Sequence, residues 1–110
     1  MSRPNLADLM IERMRDGRAH DDSLLMLTAC VEQIRSRTEG EPWEHDLFLA
    51  QAEVLCGGED FGESLARCAA MALDLGSLAA TILISLADGL GYDVDAVLAG
   101  MAQVRPPYAP

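Results

Sequence analysis

The stretch Leu75–Ala87, LGSLAATILISLA, contains no charged residue and decides the fold class. Its apolar residues lack the strict alternation of a half-buried strand, and its length favours a helix. Thirteen residues are too few to span a bilayer, which takes about 20, and the charged residues Asp74 and Asp88 stand at its two ends. We therefore expect this stretch to form the central core helix of an α-helical protein.

The segments around this stretch also have helical spacing. A helical segment begins near Asp60 and reaches Gly76-Ser77, which either separates two helices or allows close packing inside one long helix. The helix is expected to stop at Gly89 or Gly91, and Asp93 is expected to cap a last short helix. Because no segment shows strand-like alternation, the pattern predicts helices throughout the chain.

The fold class that follows is all-α, a compact bundle of five to six helices. We predict one domain over residues 1–105 and an extended Pro-rich tail over residues 106–110. Half of the residues are apolar and few are aromatic, so the chain has more Leu and Ala surface than a thin bundle hides. A twofold homodimer is the commonest way to cover such a surface, and we expect one here.

The first helix is predicted over residues 3–16, with Ser2 or Asn5 as its N-cap and Gly17 after its end. Its apolar residues share one face at the spacing i, i+3, i+4 and i+8. This Met-rich stripe consists of Leu6, Leu9, Met10 and Met14. Methionine adapts to irregular surfaces, so the stripe is a candidate interface with a second copy or another protein. Ordinary core packing is the alternative.

The second and third helices are predicted upstream of Gly57-Gly58. The segment Asp21–Ser23 offers an N-cap to the second helix. The run Leu24–Val31 is apolar nearly all round, so we expect it to be buried on most sides. Gly40 and Pro42 end this helix, and Pro42 is well placed to open the third.

The charge is acidic and unevenly distributed. The chain has 18 Asp and Glu against 8 Lys and Arg, a net charge of −10. This balance argues against direct nucleic-acid binding and against binding to an anionic membrane, because both need a basic surface. Eight acids without an intervening base form an acidic face that suits a basic partner or simply keeps the protein soluble. Its members are Glu39, Glu41, Glu44, Asp46, Glu53, Glu59, Asp60 and Glu63.

The sequence contains no recognisable catalytic or metal-binding pattern. The cysteines Cys30, Cys56 and Cys68 form no C-x-x-C pair, and their odd number argues against a disulfide framework. Such cysteine usage is typical of a reducing cytoplasm. His20 and His45 stand in polar surroundings without a nucleophile motif. We predict no catalytic residue, no metal ligand and no cofactor.

One family resemblance covers much of Leu24–Met101. Gly40–Trp43, GEPW, resembles the G-x-P-W segment of the all-α MazG-type nucleoside triphosphate pyrophosphohydrolases. Asp74–Ser77, DLGS, and Leu90–Asp93, LGYD, resemble the late half of the same family. The resemblance implies an all-α scaffold and a Mg²⁺ site built from an E-E-x-x-E helix and an E-x-x-D helix.

The carboxylates that this family uses are mostly replaced. On the best match the first acidic motif falls on Gln51, Ala52 and Leu55, and the second falls on Asp74 and Ser77. Only Asp74 keeps a carboxylate. A Mg²⁺ ion that bridges phosphates needs several converging carboxylate oxygens, so the resemblance implies a shared scaffold without the activity.

The sequence therefore predicts a small, acidic, cytoplasmic interaction protein without enzymatic activity. It would act as a regulator or inhibitor that binds and sequesters another protein, for example as an antiactivator of a transcription regulator. One alternative is a divergent MazG-like pyrophosphohydrolase that uses Glu53, Glu63 and Asp74, placed on successive helices, as replacement ligands. A further alternative is a DNA mimic whose acidic face imitates a phosphate track and blocks a nucleic-acid-binding protein.

Overall fold

The computed structural model describes residues 4–36, 45–57 and 60–106. Within these ranges the chain forms five helices and no strand, which confirms the all-α fold class. The helices are α1 (Leu6–Arg15), α2 (Arg18–Ser36), α3 (His45–Cys56), α4 (Phe61–Leu90) and α5 (Val94–Met101).

The first helix begins at its predicted cap, and the second begins earlier than predicted. Asn5 Oδ1 accepts a hydrogen bond from the backbone N–H of Asp8 at 2.8 Å. Gly17 follows α1 with a φ of +83°, a left-handed conformation that favours glycine. Asp16 Oδ1 then accepts the backbone N–H of Arg18 at 3.1 Å, so α2 starts there. The predicted N-cap at Asp21–Ser23 is wrong, because these residues lie inside the first turns of α2.

The fourth helix is continuous over 30 residues. Asp60 opens it, since Asp60 Oδ1 accepts the backbone N–H of Glu63 at 2.8 Å. Gly76 lies inside the helix, and no atom lies within 4 Å of the position that a Cβ would occupy there. Gly76 is therefore neither a break between helices nor a point of close packing.

Judged by length and composition alone, α4 is long enough and apolar enough to cross a membrane. No other helix in the described part of the chain meets this criterion. Of the 18-residue window that meets this criterion, 11% is buried. The core helix of a soluble protein meets the same criterion, so the expected absence of a membrane partner stays a prediction.

Several predicted boundaries fall outside the described residues. The predicted stop at Gly40 and start at Pro42 lie there, and α3 is seen from His45 onward. Of the Pro-rich tail, the structure describes only Pro106, which follows the end of α5 in a non-helical segment.

The chain divides into two compact units, Met1–Leu75 and Gly76–Pro110. In the first unit α2 contacts both α1 and α3. The buried residues described in this unit are mostly small or polar: Ala19, Asp22, Ser23, Leu55, Ala66, Ala70 and Met71. Among the residues described in the second unit, Ala87 alone is buried. The single domain over residues 1–105 stays a prediction.

Two apolar stretches that we expect in the core are largely exposed. In α2, Leu25 is 54% exposed, and in α4 Ile82 and Leu86 are 55% and 58% exposed. The predictions of burial for Leu24–Val31 and of a central core helix at Leu75–Ala87 are therefore wrong for the single chain. An apolar side chain is buried only where another element reaches it, and the three short helices have only 8 to 12 residues.

Candidate functional site

A buried carboxylate joins three helices of the first unit. Asp22 of α2 is 5% exposed. Its Oδ2 accepts hydrogen bonds from Arg13 NH2 of α1 and from Arg67 Nε of α4, both at 2.9 Å. Its Oδ1 accepts a third from Arg67 NH2 at 2.9 Å. Arg67 therefore grips the carboxylate with two parallel bonds, the geometry in which a guanidinium binds a carboxylate best.

The two arginines fix the charge state of this carboxyl group. Burial pushes the pKa of Asp22 upward, but the hydrogen bonds and charges of Arg67 and Arg13 outweigh burial and hold the pKa below its usual 3.8. The hydrogen bond to Asp22 likewise raises the pKa of Arg67 above its usual value. All three groups are charged at neutral pH, so the cluster carries one net positive charge.

Ser23, the next residue of α2, joins this helix to α4 through a hydrogen bond. Ser23 is fully buried. Its hydroxyl lies 3.0 Å from the backbone oxygen of Ala19 and 3.3 Å from that of Met71. Together with the buried Ala70, this small side chain lets the two helices approach closely. Asp22 and Ser23 are therefore buried residues that join helices, whereas the sequence predicts them only as N-cap residues.

A cavity of about 350 Å³ opens beside the ion pairs. It is lined by Leu9, Glu12, Arg13, Arg18, Gly57, Glu63, Ala66 and Arg67. Arg13 Nε is buried without a hydrogen-bond partner among the described residues. Arg18 Nε donates to Asp16 at 2.7 Å, and Arg67 NH1 donates to the backbone oxygen of Gly57 at 3.0 Å. The charged groups of the lining are three arginines and two glutamates, and no described residue of the lining carries a hydroxyl or thiol side chain.

The acid that the family resemblance retains contacts a histidine. His20 Nδ1 of α2 lies 3.1 Å from Asp74 Oδ2 of α4. His20 lies in the first turn of α2, and its surroundings are polar, as the sequence predicts. Within the described ranges, no three His, Cys, Asp or Glu side chains are grouped so as to hold a metal ion.

The replacement ligands of the pyrophosphohydrolase alternative do not all stand on separate helices. Glu53 lies on α3, whereas Glu63 and Asp74 both lie on α4. Eleven residues of helix separate these two positions by roughly 16 Å along the axis. Two carboxylates that bind one Mg²⁺ ion lie within about 2.1 Å of it. The structure does not bring Glu63 and Asp74 together in this way.

Half of the acidic face is described. Asp46, Glu53, Asp60 and Glu63 are exposed, while Glu39, Glu41, Glu44 and Glu59 lie outside the described residues. Two of the exposed acids have local roles at the beginning of α4. Asp60 accepts the backbone N–H of Glu63, and Glu63 lies in the first turn, where a negative charge is favourable.

The Met-rich stripe of α1 is partly covered. Leu9 and Met10 are half-buried, and Leu9 lines the cavity. Leu6 and Met14 are each 41% exposed. Its role as a dimer or partner interface stays a prediction.

Two further apolar stripes are more exposed than the Met-rich stripe. The α2 stripe consists of Leu24, Leu27, Val31 and Ile34, exposed between 36% and 52%. The α4 stripe consists of Ile82, Leu86 and Leu90, exposed at 55%, 58% and 68%. Neither stripe is predicted from the sequence as a surface. Their spacing, with members three or four residues apart, is the signal that could have identified them as helix faces.

Comparisons with known proteins do not assign a function to this site. The chain matches no protein-family model, no curated protein and no solved structure. The resemblance to the MazG-type pyrophosphohydrolases stays a prediction, and Gly40–Trp43, which carries part of it, lies outside the described residues.

Proposed function

We propose that the chain is a small non-enzymatic interaction protein, a regulator or inhibitor that binds another protein through apolar helix faces. The observation that carries the proposal is the α4 stripe, whose three side chains are all more than half exposed. Contiguous apolar surface of this kind is typical of interfaces, because leaving it in water costs about 25 cal/mol per Å².

The α2 stripe supports the same proposal, because its four side chains are also exposed in the single chain. We propose that the α4 stripe joins two copies of the chain in a twofold homodimer and that the dimer is the form that binds the regulated protein, so a chain that cannot dimerise also loses that partner.

The ionisable residues of the first unit support a binding role over a catalytic one. Asp22, Arg13 and Arg67 hold each other, and Ser23 bonds to backbone oxygens. A general base must reach a substrate proton, and a nucleophile must reach an electrophile. These side chains instead bond to one another or to backbone oxygens, apart from the Nε of Arg13, which is unpartnered among the described residues, and they join α1, α2 and α4.

A pull-down from lysate of the native host, washed at low and at high salt, tests the proposal. Three baits are compared: the natural chain, a stripe variant with Ile82→Glu and Leu86→Glu, and a control with Thr81→Glu and Ser85→Glu. All four positions are exposed on α4, and both variants add two negative charges. We expect one partner that survives high salt with the natural chain and the control and is lost with the stripe variant.

The other outcomes contradict the proposal in distinguishable ways. Equal capture by all three baits would exclude the α4 stripe. A partner released by high salt would favour the acidic face and the DNA-mimic alternative, because exposed charges are screened by salt. Release of pyrophosphate from nucleotides with Mg²⁺ would contradict the non-enzymatic role.

A further inference from the structure

Two of the three cysteines lie side by side in the first unit. Cys56 is the last residue of α3, and Cys68 lies in the second turn of α4. Cys68 Sγ is 4.0 Å from the backbone oxygen of Cys56. Cys30 lies on a different helix, α2.

A neighbouring hydrogen bond holds these two residues in register. Arg67 NH1 donates to the backbone oxygen of Gly57 at 3.0 Å. Arg67 precedes Cys68, and Gly57 follows Cys56. The Arg67–Gly57 hydrogen bond therefore lies next to the contact between Cys68 and Cys56. Arg67 is itself held by Asp22 through two further bonds. The approach of the two cysteines is thus part of the same network that fixes α2 against α4.

We infer that Cys56 and Cys68 form a reversible oxidation site, which a small-molecule disulfide such as oxidised glutathione converts into an intrachain disulfide. The inference goes beyond the proposed function and does not depend on it. Both thiols are free and half-buried. A disulfide requires its two residues to be close before the sulfurs can bond, and here the thiol of Cys68 already reaches the backbone oxygen of Cys56.

The reaction balances through two exchange steps. One protein thiol loses its proton, and its thiolate attacks the small disulfide, which breaks that S–S bond and releases one small thiolate. The second protein thiolate attacks the sulfur of the mixed disulfide and releases the second small thiolate. The two protons from the protein reside on the released thiols. Two protein thiols are oxidised, and one small disulfide is reduced to two thiols.

The disulfide forms selectively between Cys56 and Cys68 because these two residues lie close together. Burial, followed by the neighbouring Cys68 thiol, raises the pKa of Cys56 to about 11, and burial also raises the pKa of Cys30. Neither group is an activated thiolate at neutral pH. Once one cysteine of the pair carries a mixed disulfide, the adjacent thiol resolves it within the molecule. Cys30 has no such resolving partner among the described residues.

The sequence makes the product easy to map. Cleavage after arginine, except at Arg105 where proline follows, places Cys56 on the peptide 38–67, Cys68 on the peptide 68–110 and Cys30 on the peptide 19–35. The full-length reduced chain is equilibrated with oxidised and reduced glutathione, its free thiols are alkylated, and its peptides are identified by mass spectrometry. We expect the linked peptides 38–67 and 68–110, at least ten times more abundant than any link to Cys30.

Three serine variants complete the test. Cys30→Ser leaves the linked product unchanged, whereas Cys56→Ser and Cys68→Ser each abolish it and leave a stable glutathione adduct on the remaining cysteine. The peptide map of the natural chain tests the inference by itself, whether or not the variants fold. A product dominated by links to Cys30, by links between chains, or by unresolved adducts at Cys56 and Cys68 would overturn the inference.

Discussion

The two compact units differ in what holds them together. In Met1–Leu75 a buried carboxylate, Asp22, is gripped by arginines from two other helices, and small residues let α2 and α4 meet. In Gly76–Pro110, Ala87 alone is buried among the described residues. The second unit nevertheless carries few charges: Asp88, Asp93, Asp95 and Arg105.

This difference teaches that apolar composition and burial are separate properties. The charged side chain of Asp22 in the first unit is buried because arginines from two other helices bond to it. Apolar side chains of the second unit remain exposed because no described element of the chain covers them. We interpret the first unit as the part that fixes its own structure and the second as the part that presents a surface to another molecule.

The largest expected effect comes from removing Arg67. Arg67→Leu leaves the buried Asp22 with Arg13 as its remaining partner. An incompletely compensated buried charge destabilises a protein by about 3 kcal/mol, so we expect the free energy of unfolding in urea to fall by that amount. The matched control is Arg15→Leu, at an exposed position of α1, which should change it by less than about 0.5 kcal/mol. Equal effects of the two variants would contradict the role of the ion pairs in the first unit.

The same cluster predicts a dependence on pH. The pKa of Asp22 is lower in the folded chain than its usual 3.8, so its contribution to stability is complete above that value. The contribution is lost as the pH falls through the folded pKa. The free energy of unfolding in urea is measured at pH 6 and at pH 3. We expect it to fall more between these two pH values for the natural chain than for Asp22→Asn. An equal or larger loss in the variant would show that other carboxyl groups account for the effect.

The sequence predicted the helices better than it predicted their surroundings. The Asn5 cap and the all-α class follow from local rules, since capping and helical spacing depend on neighbouring residues. The cluster of Arg13, Asp22 and Arg67 could not be predicted, because its members lie 9 and 45 residues apart and meet only when three helices assemble. For the same reason, the exposure of the α4 stripe depends on which elements reach it and not on its own composition.

A smaller effect should distinguish buried from exposed hydroxyls. Ser23→Ala removes a buried hydroxyl that bonds to backbone oxygens of α2 and α4, and we expect a loss of about 1 kcal/mol in the free energy of unfolding. Thr28→Ala removes the corresponding bond to Leu24 at an exposed position of the same helix and should cost less than half as much. If Thr28→Ala were the more damaging, the close packing of α2 on α4 would not be a source of stability.

At the edge of the first unit, the cap of α1 gives a local effect. Asn5→Ala removes the acceptor for the backbone N–H of Asp8 and should cost about 1 kcal/mol or less. Amide hydrogen exchange should accelerate in the first turn of α1 and remain unchanged in α4. Asn5→Asp keeps an acceptor and should retain the natural exchange rates, whereas acceleration in both variants would show that the cap bond is not responsible.

The mass of the full chain in solution, measured by light scattering up to high micromolar concentration, tests most directly whether the exposed apolar stripe is a binding surface. A homodimer of this 11.8 kDa chain has a mass of about 24 kDa. We expect that value for the natural chain and for Thr81→Glu with Ser85→Glu. For Ile82→Glu with Leu86→Glu we expect about 12 kDa and the same helical content as the control by circular dichroism. A mass of about 12 kDa for the natural chain would contradict self-association, and a dimer that persists in the stripe variant would place the interface elsewhere.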